Sequence, residues 1–232
     1  MIHGLLQVTG PGSRILDIGC GKGDLVGELA LRHPEAELHG IDASRHGIEL
    51  AAQRVPAASF AARDLLEPGG PPAERAGWAT HAVCSEVLEH VDDPTSLLAN
   101  AKPYLAPGCR LVVTVPGGPR SAFDRHIGHR RHFTVGRLRA VLTKAGFTVE
   151  TATGAGFPLF DLYRLAVIVR GGRLVRDAER SRSASPSVPA RVATRLFRLL
   201  LALPQPRNRW GWQLLAVARV PDGREKPGDL SC

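Results

Sequence analysis

An apolar run that stops in three closely spaced glycines constrains this chain more than any other feature. Residues 14–25 read RILDIGCGKGDL, with Gly19, Gly21 and Gly23 between a strand-like stretch and a helical pattern that begins at Leu25, Val26, Leu29 and Ala30. A buried strand, a tight turn and a helix N-terminus therefore follow one another almost without a break. Turns of this kind present bare backbone N–H groups to a ligand, with the helix end behind them.

The alternation continues downstream. Strand-like runs stand at 13–18, 37–41, 58–62, 80–85 and 109–115, separated by helical patterns near 23–32, 45–54 and 94–105. A helix at 137–145 then precedes strands at 147–152 and 213–219. This order predicts an α/β fold with a parallel sheet covered on both faces. The core is expected over 1–152 plus 211–220, with a disordered tail at 221–232. Only about a dozen residues precede the first strand, too few for a lid domain. Two insertions are left for that job: a lid loop at 116–136 and a basic helical segment at 153–210.

Composition narrows the setting. A chain of 232 residues can bury a full core. Its net charge of +8 is uneven: residues 1–163 hold 16 Lys/Arg against 17 Asp/Glu, whereas 164–219 hold 12 Arg against Asp177 and Glu179 alone. An anionic partner is to be sought in the later segment. There 157–174 is apolar on most sides and 181–189 reads as a linker. Residues 191–203 set Val192, Leu196, Leu199, Leu200 and Leu203 on one face and Arg191, Arg195 and Arg198 on another. Such a basic amphipathic helix suits peripheral contact with an anionic membrane, a cover over an acceptor pocket, or a homodimer interface. Cys20, Cys84, Cys109 and Cys232 show no paired spacing and read as reduced thiols. With no signal pattern at its start and no long apolar run, the chain is expected to be cytoplasmic, in peripheral contact with the inner membrane surface.

Three acidic strand ends narrow the ligand. Asp42 closes the second strand, where a carboxylate meets both ribose hydroxyls of an adenosine. Asp64-Leu65 closes the third, joining a carboxylate to an apolar residue as an adenine amino group and ring face require. Residues 84–94, CSEVLEHVDDP, follow the fourth at the carboxyl edge where open α/β sheets bind ligands. A dinucleotide is disfavoured, because Asp24 stands where the third glycine of its fingerprint belongs.

Together these residues resemble the class I S-adenosylmethionine-dependent methyltransferases, in particular the small-molecule branch with a Glu-x-x-x-His element, here Glu86 and His90. Residues 16–23, 40–42, 64–65, 86–90 and 105–111 carry the likeness, which covers about 10–152 and the last strand. It implies a three-layer Rossmann-like sheet of order 3-2-1-4-5-7-6 with the last strand antiparallel. It also implies S-adenosylmethionine as cofactor, S-adenosylhomocysteine as product, and methyl transfer in small-molecule biosynthesis. The cofactor residues would be Asp17 at the amino group, Gly19, Cys20 and Gly21 around the methionine part, Asp42 and Ala43 at the ribose, Asp64 and Leu65 at the adenine, and Ser85 and Glu86 bordering both cofactor and acceptor.

Transfer from an activated sulfonium needs alignment, exclusion of water and, for a hydroxyl acceptor, a proton acceptor. The lid loop offers His126, His129 and His132, with His129 the first choice as base. Arg125, Arg130 and Arg131 are placed to hold an anionic acceptor and to keep these histidines neutral, and His90 to line the acceptor pocket. No metal is expected, since Asp124 is the sole carboxylate beside the three histidines. The acceptor is expected to be a small, glycosylated or lipid-linked molecule, methylated at oxygen. Nucleic acid is disfavoured as acceptor, because the motif of base-nitrogen methylation after strand four and the aromatics that stack bases are both missing. A non-catalytic S-adenosylmethionine-binding protein is the other alternative.

Overall fold

The computed structural model describes residues 2–158, 160–162, 164–165, 168–169 and 210–222. The expected linker 181–189, the basic helix 191–203 and nearly all of the tail 221–232 lie outside them. One seven-stranded sheet organises the rest, in the order β3-β2-β1-β4-β5-β7-β6. The strands are β1 (Arg14–Ile18), β2 (Glu37–Asp42), β3 (Ser59–Ala62), β4 (Ala79–Ser85), β5 (Leu105–Pro116), β6 (Thr148–Ala155) and β7 (Gln213–Arg219). The first five run parallel, and β7 enters antiparallel between β5 and β6. The order and sense match the expectation.

Burial on both faces explains the continuous apolar strands. Leu111, Val112, Val113 and Val115 of β5 are all sealed from solvent, and they divide between two core clusters. Parallel strands between helical layers carry no polar face. The helices are α1 (Ile2–Leu6), α2 (Asp24–Arg32), α3 (Arg45–Arg54), α4 (Pro94–Ala101), α5 (Ala122–His126) and α6 (Val135–Lys144).

Several boundaries differ from the sequence reading, each for a local reason. The helix expected over 94–105 ends at Ala101 and tightens into a 3₁₀ turn at Lys102–Tyr104, where Pro103 has no N–H to continue the ladder. β5 starts at once, at Leu105. Residues 88–90, after the fourth strand, form a turn in which His90 N–H donates to Val87 O. Within the lid loop, α5 was not foreseen. Its signal is present as a capping box, in which Ser121 Oγ accepts from Asp124 N–H and the Asp124 carboxylate accepts from Ser121 N–H. Trp210, ahead of β7, is exposed.

Candidate active site

The carboxyl ends of β1, β2 and β4 lie side by side, Asp17 level with Gly40 on one flank and Val83 on the other. The turns beyond them enclose a cavity of about 290 Å³. Its lining takes in seven of the residues expected at the site: Gly19, Asp42, Ala43, Asp64, Leu65, Glu86 and His90. Ile18, Ile41, Val87, Val91 and Leu97 add the apolar wall that sequence reasoning left out. Val87 and Val91 were readable as a spaced pair beside Glu86, but nothing local said they faced a ligand.

Gly19 is glycine on two counts. Its φ is +78°, and a Cβ there would stand 2.4 Å from Val87 Cγ2. The glycine turn also fixes the carboxylate opposite it. Gly21 N–H donates to Asp42 Oδ2 at 2.9 Å, and Ser44 N–H to Oδ1 at 2.8 Å. Asp64 is held in the same way by Leu66 N–H at 2.8 Å. Two acidic strand ends are therefore pre-oriented by backbone before a ligand arrives.

Four expected residues support this cavity without lining it. Asp17 is buried, and burial together with the Asp42 charge raises its carboxyl to about 7. Cys20 packs under the second strand, its Sγ 2.7 Å from where a Cβ on Gly40 would be. Burial, with the Asp17 and Asp42 charges, pushes its thiol far above the ordinary range. Gly21 acts through its N–H on Asp42. Ser85 hydrogen-bonds Thr114 across β4 and β5 at 2.8 Å.

On the opposite wall stands a second group of side chains. Glu86 has a left-handed backbone, φ +56°, rare for a residue with a side chain. Its Oε1 accepts from Gln213 Nε2 at 2.7 Å and from Thr114 Oγ1 at 3.0 Å. Burial raises its carboxyl despite these bonds. The Glu89 side chain is sealed, neither carboxylate oxygen has a hydrogen-bond partner among the described residues, and burial plus the Glu86 charge raises it to about 8. His90 meets His129 edge to face, ring centroids 4.8 Å apart, and His129 Nδ1 lies 3.2 Å from His132 Nε2. Beneath them Asp124 forms a two-pronged ion pair with Arg164 at 2.7 and 2.9 Å. Burial alone would raise Asp124, but the Arg164 and Ser121 hydrogen bonds hold it well below the usual carboxylate range.

The structure thus gathers His90, His129 and His132 and leaves His126 exposed at the end of α5. Arg125 is exposed as well. Arg130 and Arg131 are engaged elsewhere: Arg130 pairs with the Asp92 side chain and Arg131 donates to Asp92 O, tying the lid loop to the turn after β4. These arginines were expected to keep the histidines neutral. His129 is indeed lowered, to about 4, but burial is the main cause, followed by the neighbouring His90, and Arg164 is the arginine that contributes. Glu89, Arg164, Thr114 and Gln213 went unforeseen. The roles of Arg164, Thr114 and Gln213 come from contacts between distant segments, such as Gln213 with Glu86, and that of Glu89 from its burial.

An apolar cleft with two fixed carboxylates at one end and a histidine-carboxylate cluster at the other can hold a nucleoside and present a second molecule to it. Known proteins resemble the chain in sequence and fold. Residues 2–152 match a family model described as a methyltransferase domain. An uncharacterized 37.1 kDa protein in transposon TN4556 of Streptomyces fradiae is 33% identical over 219 residues, 84% of this chain and 59% of that protein. A ubiquinone biosynthesis O-methyltransferase of Psychrobacter arcticus is 31% identical over 177 residues, 67% of each chain. The solved phosphoethanolamine N-methyltransferase 2 of Haemonchus contortus, in complex with S-adenosyl-L-methionine, has a TM-score of 0.58 at 18% identity, over 93% of this chain and 50% of that one. That last likeness bears on the fold alone. The chain spans 59% of the length of the first of these relatives.

Proposed function

We propose, since the chain belongs to the class I S-adenosylmethionine-dependent methyltransferases, that it moves the sulfonium methyl of S-adenosylmethionine to an oxygen of a small-molecule acceptor. The observation that carries this reading is the single cavity in which Gly19, Asp42, Asp64 and Leu65 meet Glu86 and His90. In it Asp42 takes the ribose hydroxyls, Ala43 flanks them, and Asp64 with Leu65 takes the adenine. Gly19, Gly21 and Cys20 back the methionine part, Asp17 takes the amino group, and Ser85 and Glu86 stand between cofactor and acceptor.

The acceptor then lies against His90, His129 and His132. Its oxygen forms the new bond to the methyl carbon as the carbon–sulfur bond breaks. That electron pair stays on sulfur, giving S-adenosylhomocysteine, and the hydroxyl proton leaves to the histidine cluster. His126 and Arg125, exposed and outside the cluster, have no part in this step. Arg130 and Arg131 shape the acceptor mouth through Asp92.

The exposed apolar residues Leu162, Leu165 and Val169, beside the Arg-rich segment, support a lipid-linked acceptor met at an anionic membrane surface inside the cell. Among the described residues no helix is long and apolar enough to cross a membrane. The reading is tested by titrating S-adenosylhomocysteine into the protein and by screening hydroxylated acceptors, free and lipid-linked, with methyl-labelled cofactor. One-to-one binding that Asp42→Ala weakens, together with label on an acceptor oxygen, is the expected result; no binding of S-adenosylhomocysteine would sink the proposal.

A further inference from the structure

The carboxylate beneath the lid histidines does not orient them. His129 Nδ1 lies 3.9 Å and His132 Nε2 3.8 Å from the Asp124 carboxylate, beyond hydrogen-bond range. Asp124 is also already occupied. Arg164 donates to its two oxygens at 2.7 and 2.9 Å, and Ser121 donates to Oδ2 from N–H at 2.6 Å and from Oγ at 2.7 Å. A carboxylate-histidine dyad, in which the acid holds the imidazole in one tautomer, is therefore closed off. The orienting bond has to come from elsewhere.

The second histidine supplies it. Gly118 O can only accept, so His132 Nδ1, 3.1 Å from it, carries the proton. Burial lowers the His132 imidazole below its ordinary range, so near neutral pH the ring is uncharged and its Nε2 is an acceptor. His129 Nδ1, 3.2 Å away, must then donate, and His129 Nε2 keeps its lone pair. The start of this chain of bonds is held by backbone. Gly117 N–H donates to Trp212 O at 2.6 Å, and Phe133 N–H donates to Pro116 O at 2.9 Å. Gly118 has φ +68°, and a Cβ there would stand 2.7 Å from the Trp212 ring. Gly118 O and His132 thus sit on two strands of the lid loop that are pinned to each other and to the entry of β7. At the far end of the chain of bonds, the His129 ring meets His90, which lines the cofactor cavity.

We propose that His132, not Asp124, is the positioning residue of this site: anchored on Gly118 O, it fixes His129 in the tautomer whose Nε2 lone pair takes the acceptor proton. The O–H bond of the acceptor breaks toward His129 Nε2, and its electron pair stays on oxygen to form the bond to methyl carbon. The imidazolium left on His129 still donates from Nδ1 to His132. Asp124, 3.9 Å away, balances that charge without receiving the proton. The use of the lone pair in transfer rests on the methyl-transfer reading, whereas the tautomer does not.

The tautomers are read directly by long-range ¹H–¹⁵N correlation on the full chain labelled with ¹⁵N-histidine, near neutral pH, with and without S-adenosylhomocysteine. The expected spectrum shows a protonated Nδ1 and a bare Nε2 for both His129 and His132. His132→Phe keeps a ring in place but offers no acceptor, so His129 should lose that signature. His132→Gln can donate to Gly118 O from its amide nitrogen and accept from His129 on its amide oxygen, so the signature should return. Asp124→Asn should leave it unchanged. A His129 proton on Nε2 in the wild type, an unaltered signature in His132→Phe, no recovery in His132→Gln, or its loss in a folded Asp124→Asn overturns the assignment. The wild-type spectrum decides even where a variant fails to fold. S-adenosylhomocysteine is titrated in parallel by calorimetry. Binding together with the wrong tautomer removes the role of His132 and spares the methyltransferase reading; the expected tautomer without binding keeps His132 as the orienter of His129 and removes that reading.

Discussion

The two ends of the cleft are built on different principles. At the cofactor end the fixing groups are backbone: a glycine turn with φ +78° at Gly19, and two N–H donors that aim the Asp42 carboxylate. At the acceptor end they are side chains from far-apart segments, with Asp124 bridged to Arg164 and Glu86 to Gln213. Backbone scaffolding tolerates changes of nearby side chains but not of the glycine itself. Side-chain scaffolding fails one link at a time. The contrast teaches why one end serves an unvarying cofactor and the other can be rebuilt for different acceptors.

The sharpest way to break this contrast is at Gly19. A methyl group there meets both a left-handed backbone and the 2.4 Å approach to Val87 Cγ2. Gly19→Ala is expected to cost about 2–5 kcal/mol of stability, from backbone strain and overpacking together, and to abolish S-adenosylhomocysteine binding by calorimetry. The double variant with Val87→Ala should recover the overpacking part and not the strain. Full cofactor affinity in Gly19→Ala would refute the backbone account.

At the other end the matching variant is Arg164→Met, which strands the buried Asp124 carboxylate. Removing one partner of a buried pair is expected to cost about 3 kcal/mol, seen by denaturant unfolding and as faster proteolysis within 116–136. S-adenosylhomocysteine affinity should stay within about threefold of wild type. An equal loss of cofactor affinity would show that the two ends are one unit.

The same contrast decides what the sequence could disclose. The strand order, the glycine turn and Asp42, Asp64 and Leu65 were legible because each lies within a few residues of a strand end and carries its own local pattern. His90 and His129 were legible as residue types but not as neighbours, since 39 positions separate residues that meet ring to ring. Glu89 had no role of its own within CSEVLEHVDD, and nothing along the chain says that the turn after β4 seals it. The lid arginines misled for the converse reason: basic residues beside histidines suggested an anion site, and Asp92 satisfies two of them.

Asp42→Ala gives a smaller effect. It removes an oriented carboxylate without disturbing the turn that orients it, so cofactor affinity is expected to fall roughly 10- to 100-fold, the loss of charge-assisted hydrogen bonds. Stability should change little, because Gly21 and Ser44 N–H groups can turn to water at the cavity mouth. A large drop in melting temperature instead would mean that Asp42 is a structural anchor of the turn.

The smallest effect separates burial from binding at Asp17. Its carboxyl, raised to about 7 by burial and the Asp42 charge, has Asp42, Cys20 and Cys84 as the titratable groups that interact with it among the described residues, and no cation among them. A folded-state pKa above the unfolded value means that the folded chain holds the proton more tightly. The associated stability is fully present below the unfolded pKa, near 4, and is lost as pH rises through about 7. Asp17→Asn should therefore match wild-type stability near pH 4 and exceed it at pH 8. Cofactor binding runs the other way. The α-ammonium of the ligand favours the ionised carboxylate, so affinity should rise by up to about tenfold per pH unit below 7 and then level. The decline on the alkaline side belongs to the ligand's own α-amino group, near pH 8 in free solution. Asp17→Asn should erase the acid limb and leave the alkaline one. Calorimetry with S-adenosylhomocysteine in buffers of different ionisation enthalpy measures the proton directly: below pH 7 wild type should release one on binding and the variant none. Equal proton release from both would move the titrating group away from Asp17 and leave the buried carboxylate a passive part of the strand end.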